Sequence, residues 1–187
     1  ETRFGLSLPA ERWQSVAHST GFTPEQVIRV ADQNIRALVP LLTELQPDIQ
    51  EVAARERSAL LVYLEGLGMD RSGSQAIVDI GYGGSVQGYL NRLLPQKVHG
   101  FYLMTNERAR QVARQHGVLA LGCFCQEVAP SPHMPLMFRD SFELEKLLSS
   151  DEPQVEHYHL GLQNQPIGRF RSLTAEYGAR LSYTLRF

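Results

Sequence analysis

Three short apolar runs, Ala76-Ile77-Val78, Val98 to Met104 and Val118 to Phe124, are separated by two stretches of helical character, Val86 to Leu94 and Glu107 to His116. Runs this short, bounded by turn residues, read as buried strands. The order strand, helix, strand, helix, strand joins them by right-handed crossovers into a parallel sheet. The expected fold class is therefore α/β, Rossmann-like, with a mainly parallel sheet over residues 71–187. Upstream the period changes. Between Pro9 and Leu67 apolar residues recur at helical spacing, as in Val27, Val30, Ala31, Ile35, Leu38, Val39 and Leu42, then Ile49, Val52, Ala53, Leu60, Leu61 and Leu64. That spacing predicts an N-terminal helical segment, residues 1–70, made of three packing helices.

Local chemistry suggests where those helices start and stop. The first runs from Ala10 to Ser19. Thr23-Pro24-Glu25-Gln26 offers the second an N-cap, a proline at the first helical position and a capping-box partner. Pro40 kinks or ends that second helix, Pro47 opens the third, and Gly66 or Gly68 stops it. After the third strand, Pro130, Pro132 and Pro135 mark a loop, Ser141 to Ser150 looks helical, and Gln154 to Phe187 carries alternating segments that suit strands or a hairpin edge.

Composition narrows the function classes. The chain of 187 residues has 18 Lys+Arg against 20 Asp+Glu, a formal charge of −2, with 43% hydrophobic and 20% charged residues. A nucleic-acid partner would call for a basic excess and a disordered tail for high net charge, so neither is expected. No run of about 18 apolar residues and no basic-then-apolar leader is present, so no membrane span or secretory address is expected. Cys123 and Cys125 flank Phe124. On a regular strand both thiols would share a face, too far apart for a disulfide, as two small buried residues in a reducing, cytoplasmic compartment. The chain opens on Glu1 and closes on Phe187 within an apparent strand, the pattern of a piece of a longer polypeptide that carries other domains.

The stretch Ala76 to Gln87, A-I-V-D-I-G-Y-G-G-S-V-Q, carries the most chemistry. A buried strand ends in Asp79 and passes through three glycines into a helix. Ligands of open α/β sheets collect beyond the carboxyl ends of strands, where glycine-rich turns bring backbone N–H groups and a positive helix end to an anion. Gly81, Gly83, Gly84 and Ser85 would form that cradle. Asp79 can accept a proton, hold a metal or bond a sugar hydroxyl, and Gln87, one turn on, can donate to the same ligand. Thr105 and Asn106 end the second strand at the same sheet edge, where they either line the cleft or cap the helix from Glu107. A structural alternative stays open, because such glycines also serve tight turns and close helix packing, and Asp79 or Ser85 can act as a helix cap. The spacing fits neither G-x-G-x-x-G nor G-x-x-x-x-G-K-[ST], so dinucleotide and P-loop sites are not expected.

Other candidates are weaker. His157 and His159 share a face if extended but lack a third ligand, so no metal site is expected. His99 and His133 are single residues, Glu143 and Glu145 lie on different faces of a helix, and Arg55-Glu56-Arg57 reads as a solvated face.

The string D-I-G-x-G-G-S is similar to the phosphate loop of actin-like ATPases, but that strand opens an antiparallel meander, whereas here helices precede it and another follows at once. A broader resemblance rests on three segments in order: R-S-A-L-L-V-Y-L-E-G-L-G from Arg57 to Gly68, V-D-I-G-Y-G-G-S-V-Q from Val78 to Gln87, and Gly100-Phe101-Tyr102-Leu103. They resemble a domain of bacterial proteins described as haloacid-dehalogenase-like (HAD-like) hydrolases, which are associated with glycosyltransferase modules and surface-polysaccharide biosynthesis. Phe142 to Tyr158 is similar to the stretch that follows there. A HAD phosphatase needs a D-x-D nucleophile motif, yet Asp79 is followed two positions on by Gly81. The resemblance thus implies that the nucleophile lies outside this chain, or that this domain binds rather than cleaves. The expected function is binding of a phosphate-bearing ligand, a nucleotide sugar or sugar phosphate. The alternatives are a non-catalytic scaffold packed on a catalytic neighbour and an atypical magnesium-dependent phosphohydrolase with Asp79 as its catalytic residue.

Overall fold

In a computed structural model, which describes residues 6–23, 35–129, 139–148 and 153–171, the order strand, helix, strand, helix, strand is present from Gln75 to Cys125. Strand β1 (Gln75–Asp79) leads into a helix, Ser85–Leu93; β2 (Val98–Met104) leads into a second, Glu107–His116; and β3 (Ala120–Cys125) closes the series. The sheet is parallel in the order β1-β2-β3, with Asp79 opposite Tyr102 and Gly100 opposite Ala120. This is an α/β fold. β3 begins two residues later than its apolar run, because Val118 is buried in a turn whose N–H donates to the Ala113 carbonyl at 3.0 Å.

One expectation fails here. The strands are not buried on both faces. Along β2, Val98, Gly100, Tyr102 and Met104 are buried toward the helices, whereas Val78, Phe101 and Leu121, which lie side by side on the opposite face, are 88%, 42% and 40% exposed. Two right-handed crossovers that add strands in one direction put both helices on the same side of a sheet. The apolar alternate positions are therefore left open among the described residues.

The cysteines also depart from expectation. Tyr102 pairs with Gly122 but Met104 with Cys125, so β3 carries an extra residue, a bulge. A bulge breaks the strict alternation of side chains. Cys123 falls on the exposed face, Cys125 is half-buried, and both thiols are free.

The chain divides into two compact units, Glu1–Leu61 with Tyr158–Ile167, and Val62–His157 with Gly168–Phe187. In the first, α1 (Ala10–Thr20) is followed, after a short 3-10 turn at Ile35–Leu38, by α2 (Val39–Glu44) and by α3 (Gln46–Gly66) as far as Leu61. Leu6, Val16 and Leu45 form its buried cluster, with Trp13, Leu41 and Ile49 against it. Arg12 ties α1 to the other two helices, donating to Glu44 Oε1 at 2.7 Å and to Asp48 Oδ2 at 2.8 Å. Pro40 neither kinks nor ends a helix. It occupies the first turn of α2, where its missing N–H costs no hydrogen bond. Pro24 to Gln26 and the apolar positions Val27, Val30 and Ala31 lie outside the described residues, as do Pro130, Pro132, His133 and Pro135.

The two helices of the sheet unit are α4 (Ser85–Leu93) and α5 (Glu107–His116), and α6 (Ser141–Leu148) follows. A hairpin of β4 (Val155–Leu160) and β5 (Pro166–Phe170) ends the described chain. His157 and His159 stand on β4, and the described residues hold no group of three or more side chains suited to a metal ion. No described helix is long and apolar enough to cross a membrane.

Candidate functional site

β1 ends at Asp79, and the chain turns at once because the Asp79 carboxylate accepts the Gly81 N–H at 2.8 Å, an Asx turn. The following loop is tied across the sheet edge, where Asn106 N–H donates to the Tyr82 carbonyl at 3.0 Å. The loop enters α4 through Gly84, whose φ of +67° is left-handed; a Cβ there would also come within 3.1 Å of the Ala109 Cα on α5. Only glycine satisfies both conditions. Gly81 is crowded as well, since a Cβ would meet the Asp79 carboxylate at 3.1 Å.

Gly83 is different. Its φ is not left-handed, and a Cβ would meet only the Arg108 Cδ at 3.8 Å and the Ser85 Oγ at 3.9 Å, ordinary contact distances. Neither conformation nor packing of the folded chain calls for glycine here. What the missing side chain does provide is open space at the amino end of α4, beside the Arg108 side chain.

That helix end carries no side-chain cap. The first N–H groups of a helix lack intrahelical acceptors, and the aligned peptide dipoles leave about half a positive charge there. Arg108 adds a full charge in the first turn of α5, the position at which a cation works against the helix dipole. Among the described residues the ion pairs of α5 are those of Arg110 with Glu107 and with Glu127, and Arg108 has no acidic partner. The amino end of α4 and the unpaired guanidinium therefore converge on one glycine-lined opening. An anion is what this arrangement can hold.

The residues singled out from the sequence separate into two groups. Asp79, Gly81, Gly83, Gly84 and Ser85 form the loop and the start of α4, at the opening. Gln87, Thr105 and Asn106 are occupied within the fold. Gln87 is fully buried: its amide nitrogen donates to the Val98 and Leu119 carbonyls at 3.0 and 2.6 Å, and its oxygen accepts the Tyr102 hydroxyl at 2.8 Å. Gly100 makes room for it, since a Cβ there would lie 2.6 Å from that amide oxygen. Thr105, 2% exposed, spends its hydroxyl on Gln126 Oε1 at 3.1 Å and on the Glu127 N–H at 3.2 Å. Asn106 caps α5, accepting the Ala109 N–H at 3.2 Å. Gln87 and Thr105 are thus held inside the fold, whereas Asn106 is half-buried and commits its amide oxygen to the cap. His99 is likewise structural, its Nδ1 accepting the Leu119 N–H at 2.9 Å.

Asp79 stays half-buried at the carboxyl end of β1, opposite Tyr102. Burial, together with the charge of Asp79, pushes the Tyr102 phenol up to about 12. The hydroxyl is therefore a permanent donor to Gln87 rather than a proton-transfer group near neutral pH.

Sequence reasoning did not reach Arg108, nor the trough that leads away from it between α4 and α5. This trough encloses about 220 Å³ and runs from Ser85 and Arg108 at the loop, over Gly88, to Arg92 and His116. The signal was present as spacing: Ser85, Gly88 and Arg92 recur on one face of α4, and Arg108, Gln111 and Gln115 on one face of α5.

The three strands wind in a single direction, so no reversal of strand order creates a cleft between two halves of the sheet among the described residues. The opening at Gly83 lies at the carboxyl end of the sheet. No protein-family model matches the chain, and no curated protein is significantly similar to it.

Proposed function

We propose that the loop from Asp79 to Ser85 binds a phosphate-bearing ligand, a nucleotide sugar or sugar phosphate, within a Rossmann-like domain. The observation that carries this reading is the uncapped amino end of α4 next to Gly83, with Arg108, which has no acidic partner among the described residues, beside it. A phosphate there would accept N–H groups from the first turn of α4 and a charge-assisted bond from the guanidinium. Asp79 would orient the loop through Gly81 and offer its second oxygen to a sugar hydroxyl. If magnesium accompanies the phosphate, its ligands would be Asp79 and oxygens of the ligand itself, a pattern common for this ion. The resemblance to HAD-like proteins of polysaccharide biosynthesis supports the same ligand class, with the domain acting beside a catalytic neighbour in the cytoplasm.

Thermal unfolding in the presence of nucleotide sugars and sugar phosphates, with and without magnesium, tests the reading. A ligand at about 100 times its Kd adds about 2.7 kcal/mol, or about 5 to 10 °C for a chain of this size. The stabilisation should vanish in Gly83→Val, which puts a side chain into the opening with its Cβ no closer than 3.8 Å to a neighbour. An absence of stabilisation by every compound would remove the proposal.

The exposed apolar row of Val78, Phe101 and Leu121 favours a second reading, a scaffold domain that covers this sheet face with a neighbour. It predicts no ligand-dependent stabilisation. A hydrolase would instead release phosphate in a magnesium-dependent reaction that Asp79→Asn abolishes.

A further inference from the structure

The trough between α4 and α5 is lined without a carboxylate, although the whole chain carries more acidic than basic residues. Its floor exists because α4 packs through glycines: a Cβ at Gly88 would come within 3.3 Å of Val112, and Gly84 lies against Ala109. Close approach at the floor leaves longer side chains as walls. At the loop end stand Ser85 and Arg108. Along the wall of α5 follow the amides of Gln111 and Gln115, and at the far end Arg92 is stacked over Tyr89, its guanidinium carbon 4.8 Å from the ring centroid. Tyr89 is 63% exposed, so this pair forms a cationic platform facing outward.

Helix dipoles account for a cation in the last turn of a helix, as with Arg92 and His116. They do not account for Arg108 at the opposite end of the same trough, nor for the absence of any acid between the two. From Ser85 to Arg92 the helix rises about 10 Å. A ligand held by a phosphate at the loop and lying along α4 would reach the Arg92 platform with its distal end.

We infer that this trough selects ligands with a second anion, so that the bound class is a nucleotide sugar or sugar phosphate whose sugar carries a carboxylate. The inference rests on the proposed phosphate site at the loop. The phosphate occupies the amino end of α4 beside Arg108, the sugar hydroxyls meet Gln115 and Gln111, whose amide nitrogen also donates to Glu107 Oε1 at 3.4 Å, and the carboxylate pairs with Arg92.

Two matched pairs test it by titration calorimetry on the full chain: UDP-glucuronate against UDP-glucose, and glucuronate 1-phosphate against glucose 1-phosphate. The acidic member of at least one pair should bind about tenfold more tightly, as one charge-assisted hydrogen bond implies, and Arg92→Gln should abolish the difference. Gln115→Glu, which adds a carboxylate to the trough at an exposed helical position, should reverse the preference. Equal affinities within both pairs, with binding lost in Gly83→Val, would overturn the trough and leave the loop site standing. A preference that survives Arg92→Gln and Gln115→Glu would also overturn it. Binding of either member that persists unchanged in Gly83→Val would overturn the loop site, and with it the geometry on which the second contact depends.

Discussion

α4 and α5 begin at the same edge of the same sheet, each after a parallel strand, yet their amino ends are finished in opposite ways. α5 is closed: Asn106 caps it, its neighbour Thr105 fastens the turn after β3, and Glu107 supplies a negative charge to its first turn. α4 is open: a left-handed glycine precedes it, no side chain caps it, and its first turn holds no acid. Helices in folded proteins gain about 1 kcal/mol from a polar cap. α4 forgoes that gain at the place where the glycine loop passes and Arg108 reaches across. On the proposed reading, the contrast separates a helix end that serves the fold from one left open to an anion.

The largest test of this division concerns Gln87, which belongs to α4 by position but to the interior by contact. Gln87→Ala would take the acceptor from the buried Tyr102 hydroxyl and one of two donors from each of the Val98 and Leu119 carbonyls, with an expected loss of about 3 kcal/mol in denaturant unfolding. A change under about 1 kcal/mol would mean that these bonds do not define the interior side of α4.

Arg108→Gln comes next. Ligand affinity should fall by about tenfold, from loss of a charge-assisted bond. Stability should hold or rise by about 0.5 kcal/mol, because a cation leaves a helix amino end. Calorimetry and chemical unfolding on the same variant read both, and a loss of stability with affinity unchanged would make Arg108 part of the fold instead.

Asn106→Ala is the mirror experiment. It should cost about 1 kcal/mol of stability, the worth of one N-cap, and leave ligand affinity as it was. Weaker binding would place Asn106 in the site after all.

The smallest effect lies outside the neutral range. The Tyr102 phenol, about 10 in an unfolded chain, is pushed up to about 12 by burial and by Asp79. The folded state therefore holds this proton more tightly than the unfolded one. Its contribution is complete below about pH 10 and is lost as pH rises toward 12. Unfolding followed across that window should show stability falling with pH, with a shallower fall in Tyr102→Phe.

Much of the sheet unit was legible because its signals are local. β2 and α5 occupy the predicted residues, the first from an apolar run interrupted by His99, the second from helical character after the possible cap at Thr105 and Asn106. The beginning of β3 was not, because Val118 is apolar for a different reason: it packs beneath the turn that closes α5. Nor does an apolar run distinguish a strand covered on one face from a strand covered on both, which is why the exposure of Val78 was invisible. Within the candidate site the glycines marked the loop that leads into α4. The inward turn of Gln87 depended on Gly100, two strands' worth of chain away, whose missing side chain opens the space for it. A glycine in the middle of an apolar strand is a sign of such close approach. The spacing of Arg108, Gln111 and Gln115 marks a shared face of α5, but a helix sequence alone gives no view of which neighbouring helix end that face meets.

The most direct test of the division between the two helix ends is an amide-resolved NMR titration with a nucleotide sugar or sugar phosphate that stabilises the protein. The N–H signals of Ser85, Val86 and Gln87, at the open end of α4, should move with saturation, while that of Ala109, already bonded to Asn106, should stay in place. Movement of the α5 amides with those of α4 unchanged, or no movement at either end on saturation, would contradict an anion site at the start of α4.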